Sequence, residues 1–180
     1  MKLLGMVLTS DLRWTKNTEN LCRKGYERMW MLRRLKGLGA NQLDLKEVYE
    51  KQIRSVLEYG TPVYTAGLRS EDISNIERVQ KTAMHIILGS GYNSYNDACE
   101  NLDLETLKDR RLNICKEFAN KNLKHPKFSS WFKKSEEWSS LNERKCKKLP
   151  DQPLLKPVEC RTRRFRKSPL PFLTNLINNT

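Results

Sequence analysis

Apolar residues recur along most of this chain at the three- and four-residue spacing of an amphipathic helix. Together with the capping residues between them, they predict five helices, over residues 18–36, 45–59, 70–88, 94–102 and 103–125. Residues 2–8 (KLLGMVL) lack this spacing and predict a strand, with a hairpin near Trp14 as a further option. We therefore predict a mainly α fold: a helical bundle of four or more helices, preceded by one or two short N-terminal strands and followed by an irregular basic C-terminal tail.

Each of the longer predicted helices has one face that should point to the core. The inward residues of the first helix are Cys22, Tyr26, Met29, Leu32 and Leu35, and those of the second are Leu45, Val48, Tyr49, Gln52, Ile53, Val56 and Leu57. Those of the third are Ile73, Ile76, Val79, Gln80, Ala83, Ile86 and Ile87, and those of the last are Leu104, Leu107, Arg111, Cys115, Phe118, Ala119 and Leu123. Asp44 is the predicted N-cap of the second helix, and Asp103 is predicted to open the last one.

The composition changes near residue 126. All eight glycines lie before residue 92, whereas six of the seven prolines lie at or after Pro126. This change predicts three segments: an N-terminal strand segment at 1–16, a helical region at 17–125 and a basic, proline-containing tail at 126–180. Within the tail, Phe128, Trp131 and Phe132 are candidate anchors, and Leu170 to Ile177 is a candidate final helix.

The chain carries a formal net charge of +13 and has a pI near 9.7. Residues 126–180 contribute thirteen Lys and Arg against five Asp and Glu. Such an excess attracts polyanions, of which nucleic acid is the most abundant, but it is also compatible with a protein that is simply basic. We expect no membrane partner, because no apolar run approaches the ~18 residues of a membrane span.

The cysteines predict the compartment. The chain has five of them, an odd number, widely spread and never arranged as CxxC. This pattern favours reduced thiols in a cytoplasmic or nuclear protein that is not secreted. The N-terminal apolar run is also too short for a secretory leader.

No catalytic or metal-binding constellation stands out. The chain contains no Asp-Asp pair, and Glu71-Asp72 fits the start of a helix better than a metal site. His85 and His125 suit helix positions, and Cys146 and Cys160 have no partner at zinc-knuckle spacing. We therefore predict no catalytic residue, no metal ligand and no cofactor in this chain.

The basic segments are more informative. The first predicted helix should place its cations off the apolar stripe, where they would follow a duplex backbone at fixed spacing. These cations are Arg23, Lys24, Arg28, Arg33, Arg34 and Lys36. In the tail, arginines surround an aromatic residue that would stack on a base: Arg161, Arg163, Arg164, Arg166 and Lys167 around Phe165, preceded by Arg144, Lys145, Lys147 and Lys148. The alternatives for the tail are a solvated charged segment or a localisation signal.

Several motifs follow one another in a specific order. They are K-L-L-G-M-V-L with D-L-R-W, M-L-R-R-L, L-E-Y-G-T-P-V-Y, I-E-R-V-Q-K-T-A, L-x-L-x-x-L-x-x-R-R and a terminal R-x-R-R-F-R-K-S-P-L-P-F-L-T-N-L-I-N. Over nearly its whole length the chain resembles the C-terminal portion of reverse transcriptases from non-LTR, LINE-type, jockey-like retrotransposons. The series is more specific than any one motif, above all L-E-Y-G-x-P-V followed by I-E-x-V-Q.

The resemblance implies roles that composition does not. It implies that Leu3, Leu4 and Gly5 form a primer-grip edge of the palm, and that the first helix is a thumb helix along the template–primer duplex. It implies that Glu58 and Gln80 are buried polar ties. Arg110 and Arg111 match the R-R pair of the later helix, where one of them would contact nucleic acid or pair with a helix acid. The implied partners are RNA, DNA or an RNA–DNA hybrid.

The departures from the family limit what the chain should do alone. The fingers, the palm with its catalytic paired aspartates and the endonuclease domain lie outside this sequence, so we expect no polymerase activity from it. Mg²⁺ is then a cofactor of the complete parent enzyme, whose palm and fingers are the missing partner. Tyr64 stands where the family has Trp after P-V. The alternative function is a small basic helical protein-interaction module without nucleic-acid binding.

Overall fold

A computed structural model describes residues 1–11, 13–135 and 155–179 of the chain. The predicted mainly α fold with short N-terminal strands is confirmed. The elements are β1 (Lys2–Leu3), β2 (Met6–Val7), α1 (Thr15–Gly37), α2 (Gln42–Val48), α3 (Ser55–Glu58), α4 (Thr61–Tyr64), α5 (Ser70–Leu88), α6 (Tyr95–Asn101), α7 (Leu107–Leu123), α8 (Arg163–Arg166) and α9 (Pro169–Asn178). A π-helical stretch, Tyr49–Arg54, joins α2 to α3, and 3₁₀ turns lie at Thr65–Gly67, Gly89–Gly91 and Ser129–Trp131.

The described chain forms two compact units. The first comprises Met1–Thr61 and Leu68–Arg111, and the second comprises Pro62–Gly67 and Leu112–Thr180. The sequence instead suggested divisions after residues 16 and 125. The structural division falls within α7, because the second half of that helix packs with C-terminal residues of its own unit.

In the first unit, α1 packs against α5 and against the helical segment from α2 to α3. Gly25 permits this packing, since an added Cβ would lie 2.9 Å from Val79 Cγ1 and 3.3 Å from Leu57 Cδ2. At one end of α1, Thr15 Oγ1 lies 3.5 Å from Asp72 Oδ2. At the other end Lys36 Nζ donates to the Ile87 carbonyl oxygen at 3.3 Å, so α1 and α5 run in parallel.

The π-helical stretch explains which residues of the second predicted helix are buried. Leu45, Tyr49, Ile53 and Leu57 recur at intervals of four and are all buried, whereas Gln52 is exposed. A pure α-helix turns by 3.6 residues, so a strict four-residue stripe would drift around it, and a wider π turn offsets that drift. The prediction that Gln52 faces the core is therefore wrong.

The N-terminal segment is a tight hairpin and not one strand. Lys2 pairs with Val7 and Leu3 with Met6 in an antiparallel register. The two loop residues, Leu4 and Gly5, have φ of 46° and 81°. Positive φ at both central positions is the geometry of a two-residue hairpin loop, and Gly5 adopts it without a steric penalty.

Two predicted helix starts are wrong. The N-cap of α2 is Asn41, whose side chain accepts from the Asp44 backbone N–H at 2.8 Å. The long C-terminal helix begins at Leu107, because Asp103 has φ of 46° and interrupts the chain before it. Thr106 Oγ1 accepts from the Asp109 N–H at 3.2 Å and caps that start.

The second unit has its own apolar cluster. It consists of Cys115, Ala119, Phe132, Leu155, Leu173 and Ile177. The Asn178 side chain bonds both the N–H and the carbonyl oxygen of Leu155, each at 2.9 Å. The predicted final helix is present as α9, and Phe132 is buried as a predicted anchor, whereas Trp131 is exposed. The basic residues Arg144, Lys145, Lys147 and Lys148, together with Cys146, lie outside the described residues.

Candidate nucleic-acid interface

The cations of α1 do not form one row. Successive residues of an α-helix are separated by about 100°, so the five predicted contacts spread over about 220° of the helix circumference. These contacts are Arg23, Lys24, Arg28, Arg33 and Arg34. Lys24 and Arg33, nine residues apart, lie on opposite flanks about 180° from each other. None of these cations is among the buried residues of α1, as expected, but they spread around its remaining circumference instead of following one line.

Some of these cations are already occupied. Arg23 pairs with Glu27 and donates to Asn20 Oδ1 at 3.1 Å. Arg28 donates to the Gln52 carbonyl oxygen, in the neighbouring π-helical stretch. In contrast, the side chains of Lys24, Arg33 and Arg34 have no ion pair or hydrogen bond to any other residue that the structure describes. Of the predicted set in α1, these three cations therefore have their side-chain donors available to a ligand, as far as the described residues show.

Lys36 has a structural role at the end of α5. Its ammonium group donates to the carbonyl oxygens of Ile86 and Ile87. These carbonyl groups lie in the last turn of the helix, where the backbone lacks intrahelical donors and the dipole favours a cation. Lys36 is therefore bound within the first unit and does not belong to a nucleic-acid surface.

Arg110 and Arg111 pair with helix acids. Arg110 Nε lies 2.6 Å from Glu58 Oε1, and Arg111 Nη2 lies 3.5 Å from Glu77 Oε1. Arg111 is only 2% exposed, so no phosphate reaches it in this conformation. The resemblance implied two roles for this pair, nucleic-acid contact or pairing with a helix acid, and the structure contains the ion pairs. The prediction that Arg111 contacts nucleic acid is wrong for this conformation, because its side chain is buried.

Gln80 is at the centre of a buried polar network. It is fully buried, accepts from Tyr49 Oη at 2.6 Å, and donates to Tyr95 Oη at 3.0 Å and to the Glu105 carbonyl oxygen at 2.9 Å. Tyr95 Oη in turn donates to Glu77. These bonds join α5, α6 and the approach to α7, so Gln80 is a buried polar tie, as the resemblance implied.

Burial changes the acidity of groups in this unit. Burial, with a smaller contribution from Asp72, raises the pKa of the Cys22 thiol to about 11. Burial also raises the pKa of Tyr49 and of Tyr95 above the usual range, and for Tyr95 the bond to Glu77 acts in the same direction. All of these groups are held neutral, which suits structural roles rather than nucleophilic ones.

The segment Arg161–Lys167, called here the arginine segment, keeps its charge. Its four arginines and Lys167 are all exposed, and none has an ion pair or hydrogen-bond partner among the described residues. Phe165, in the middle of the segment, is 42% exposed. Thr162 Oγ1 accepts from the Phe165 N–H at 3.1 Å and caps the short helix α8. Exposed guanidinium groups beside an exposed ring fit phosphates and bases together.

The predicted primer-grip residues occupy the N-terminal hairpin. Leu3 ends β1, and Leu4 and Gly5 form the turn. Leu3 and Leu4 are exposed, and the Leu4 carbonyl oxygen accepts from Tyr59 Oη at 2.7 Å. The hairpin is thus attached to the residue that follows α3, with the side chains of Leu3 and Leu4 exposed.

The structure also contains an exposed aromatic pair that the pattern analysis missed. Tyr26, predicted to be inward, is 40% exposed, and Trp30 is 63% exposed. The buried face of α1 instead includes Leu21 and Gly25. A glycine on the stripe was the available signal, since a helix-interior glycine often marks a close helix contact.

No family model, curated protein or solved structure matches this chain. Among the described residues, no group of three or more His, Cys, Asp or Glu side chains is placed to hold a metal ion. No helix in the same residues has the length and apolar character to cross a membrane.

Proposed function

We propose that this protein binds nucleic acid without sequence preference, and that the arginine segment is the main contact. The observation that carries the proposal is that the five cations of this segment are exposed around an exposed Phe165 and have no side-chain partner among the described residues. Free guanidinium groups contact phosphate oxygens bidentately and release counterions, which supplies affinity without reading the sequence. The absence of any Asp or Glu from residue 160 to residue 180 supports the same proposal, since Glu159 is then the only acid close in sequence to five cations.

We also propose that the chain is the thumb and post-thumb region of a non-LTR retrotransposon reverse transcriptase. The ordered motif series supports this affiliation, and the mainly α fold is compatible with it. In this proposal the chain lacks polymerase activity alone, and Mg²⁺ chemistry belongs to the palm of the parent enzyme. Genomic sequence upstream of the Met1 codon tests it: an in-frame palm with paired aspartates would support the affiliation, and an unrelated in-frame domain would contradict it.

Binding is tested by fluorescence anisotropy with labelled RNA–DNA hybrid at low and at physiological salt. The variant replaces Arg161, Arg163, Arg164 and Arg166 with Gln. If all four contact phosphates, the slope of log Kd against log salt should fall by about 3 to 4, because each neutralised phosphate contributes about 0.9. The expected result is a large loss of affinity at low salt.

A matched control removes the same charge elsewhere. Lys2, Lys16, Arg78 and Lys108 are exposed, lie in the first unit and are also replaced with Gln. An equal loss in both variants would mean that net charge and not the arginine segment drives binding. If the wild-type chain fails to bind at low salt, nucleic-acid binding is refuted, and the alternative of a basic protein-interaction module is favoured.

A further inference from the structure

The outward face of α1 carries a cluster of two aromatic and two basic side chains. Tyr26, Trp30, Arg33 and Arg34, called here the α1 patch, fall within an arc of about 100° on the helix surface. All four side chains are exposed, with Trp30 the most exposed of the large aromatic residues described. Tryptophan is usually well buried, because its large ring gains more than most side chains from leaving water. Its position here is thus not explained by the stability of α1.

The charge of the α1 patch is available to a ligand. Between Tyr26 and Arg34 the only acidic residue is Glu27, and it pairs with Arg23 one turn earlier. Arg33 and Arg34 have no such partner within the described chain. The patch therefore combines two free guanidinium groups with two accessible rings, which is the pairing of phosphate contact and base stacking found in single-strand binders.

We propose that the α1 patch is a second nucleic-acid site and that its ligand is a single strand, with bases stacked on Tyr26 and Trp30 and phosphates on Arg33 and Arg34. The inference rests on the proposed nucleic-acid binding, but concerns a different surface. Tyr26 and Trp30 are separated by about 6 Å along the helix axis, whereas neighbouring bases of a duplex strand are about 3.4 Å apart. Bases on these two rings must be unstacked from each other, and a duplex does not offer its base faces.

The test compares Trp30→Leu and Trp30→Phe with the wild type in the full chain. Each protein is titrated into a labelled single-stranded oligoadenylate of about 20 nucleotides, longer than a typical single-strand site, and into the duplex of that strand with its complement. Trp30→Leu should raise Kd for the single strand by about 5- to 150-fold, since stacking one base contributes about 1–3 kcal/mol. Trp30→Phe should keep most of the affinity, and duplex Kd should not change.

Two further variants test whether the effect is specific to the α1 patch and whether its arginines contact phosphates. Trp131→Leu makes the same substitution at a tryptophan that is also half exposed but lies in the second unit. It should leave single-strand Kd near the wild-type value. Replacing Arg33 and Arg34 with Gln should reduce the single-strand salt slope by about 1.4, from about 0.7 for each phosphate.

The outcomes separate this inference from the proposed function. If the wild-type chain binds single strand and duplex but Trp30→Leu binds both as the wild type does, the α1 patch is not a nucleic-acid site. A protein partner then becomes the explanation for its exposure. An equal loss for single strand and duplex overturns the single-strand assignment. If the wild-type chain binds neither, the proposed function and this inference both fail.

Discussion

Replacing Gln80 with Leu should destabilise the first unit by about 3 kcal/mol. The substitution keeps the side-chain volume but removes three hydrogen bonds, to Tyr49 Oη, Tyr95 Oη and the Glu105 carbonyl oxygen. A buried hydrogen bond contributes about 1 kcal/mol net, and a buried group left without its partner costs about 1–3 kcal/mol more. Tyr49 is fully buried, so its hydroxyl has no water to replace the lost acceptor.

Urea unfolding monitored by circular dichroism measures this loss. With a slope of about 1–3 kcal/mol per molar urea, the midpoint should fall by about 1–3 M. The control is Gln52→Leu. The apolar spacing predicted that both Gln52 and Gln80 face the core, but Gln52 is exposed, so the unfolding midpoint of this variant should stay close to the wild-type value. In a double-mutant cycle, Tyr49→Phe with Gln80→Leu should cost less than the sum of the two single changes. Equal midpoints for Gln80→Leu and Gln52→Leu, or strict additivity in the cycle, would refute the network.

The remaining predictions concern the thiol at position 22 and the glycine after α3. The pKa of Cys22 is raised to about 11 from 9.0, so the folded state keeps a proton that the unfolded state loses, and unfolding free energy should fall as pH rises through this interval. Cys22→Ala should therefore make the unfolding free energy fall less steeply between pH about 9 and about 10, as measured by urea unfolding at each pH. If the slope is the same as in the wild type, the Cys22 thiol is not the group responsible. Gly60 has φ of 73°, and a Cβ there would lie 2.6 Å from Met6 Sδ, so Gly60→Ala should lower the melting temperature. Gly60→Ala should lower the unfolding free energy by about 1–3 kcal/mol. Gly91→Ala serves as the control and should be nearly neutral, because a Cβ at Gly91 would have no atom within 4 Å.

Periodicity identified the helices because apolar spacing is a property of the local chain. The predicted end of the first helix near residue 36 is present, and so is the start of α6 at residue 94, where Ser94 is the N-cap. The predictions of caps and buried positions are wrong where the local sequence is compatible with two structures. Asp44 and Asn41 both suit an N-cap, and the structure uses Asn41. The π-helical stretch changes the turn width, which is why Gln52 and Gln80, alike in the pattern, have opposite environments.

The candidate site was harder to predict, because a cation's availability depends on residues that are distant in sequence. Arg110 meets Glu58 and Arg111 meets Glu77, and no spacing rule brings those residues together. Arg28 meets a carbonyl oxygen of another helix in the same way. Ion pairs and hydrogen bonds within the protein thus engage several of the predicted contacts, and Arg111 is also buried.

The arginine segment differs because its environment is decided locally. From residue 160 to residue 180 the chain contains no acidic side chain, and the nearest acid in sequence is Glu159, two residues before Arg161. Among the described residues, neither Glu159 nor any other acid pairs with these cations. In α1, by contrast, Glu27 lies four residues after Arg23 and pairs with it. The local ratio of acids to bases, rather than the net charge of +13, is therefore the sequence property that best identifies cations free to meet a polyanion.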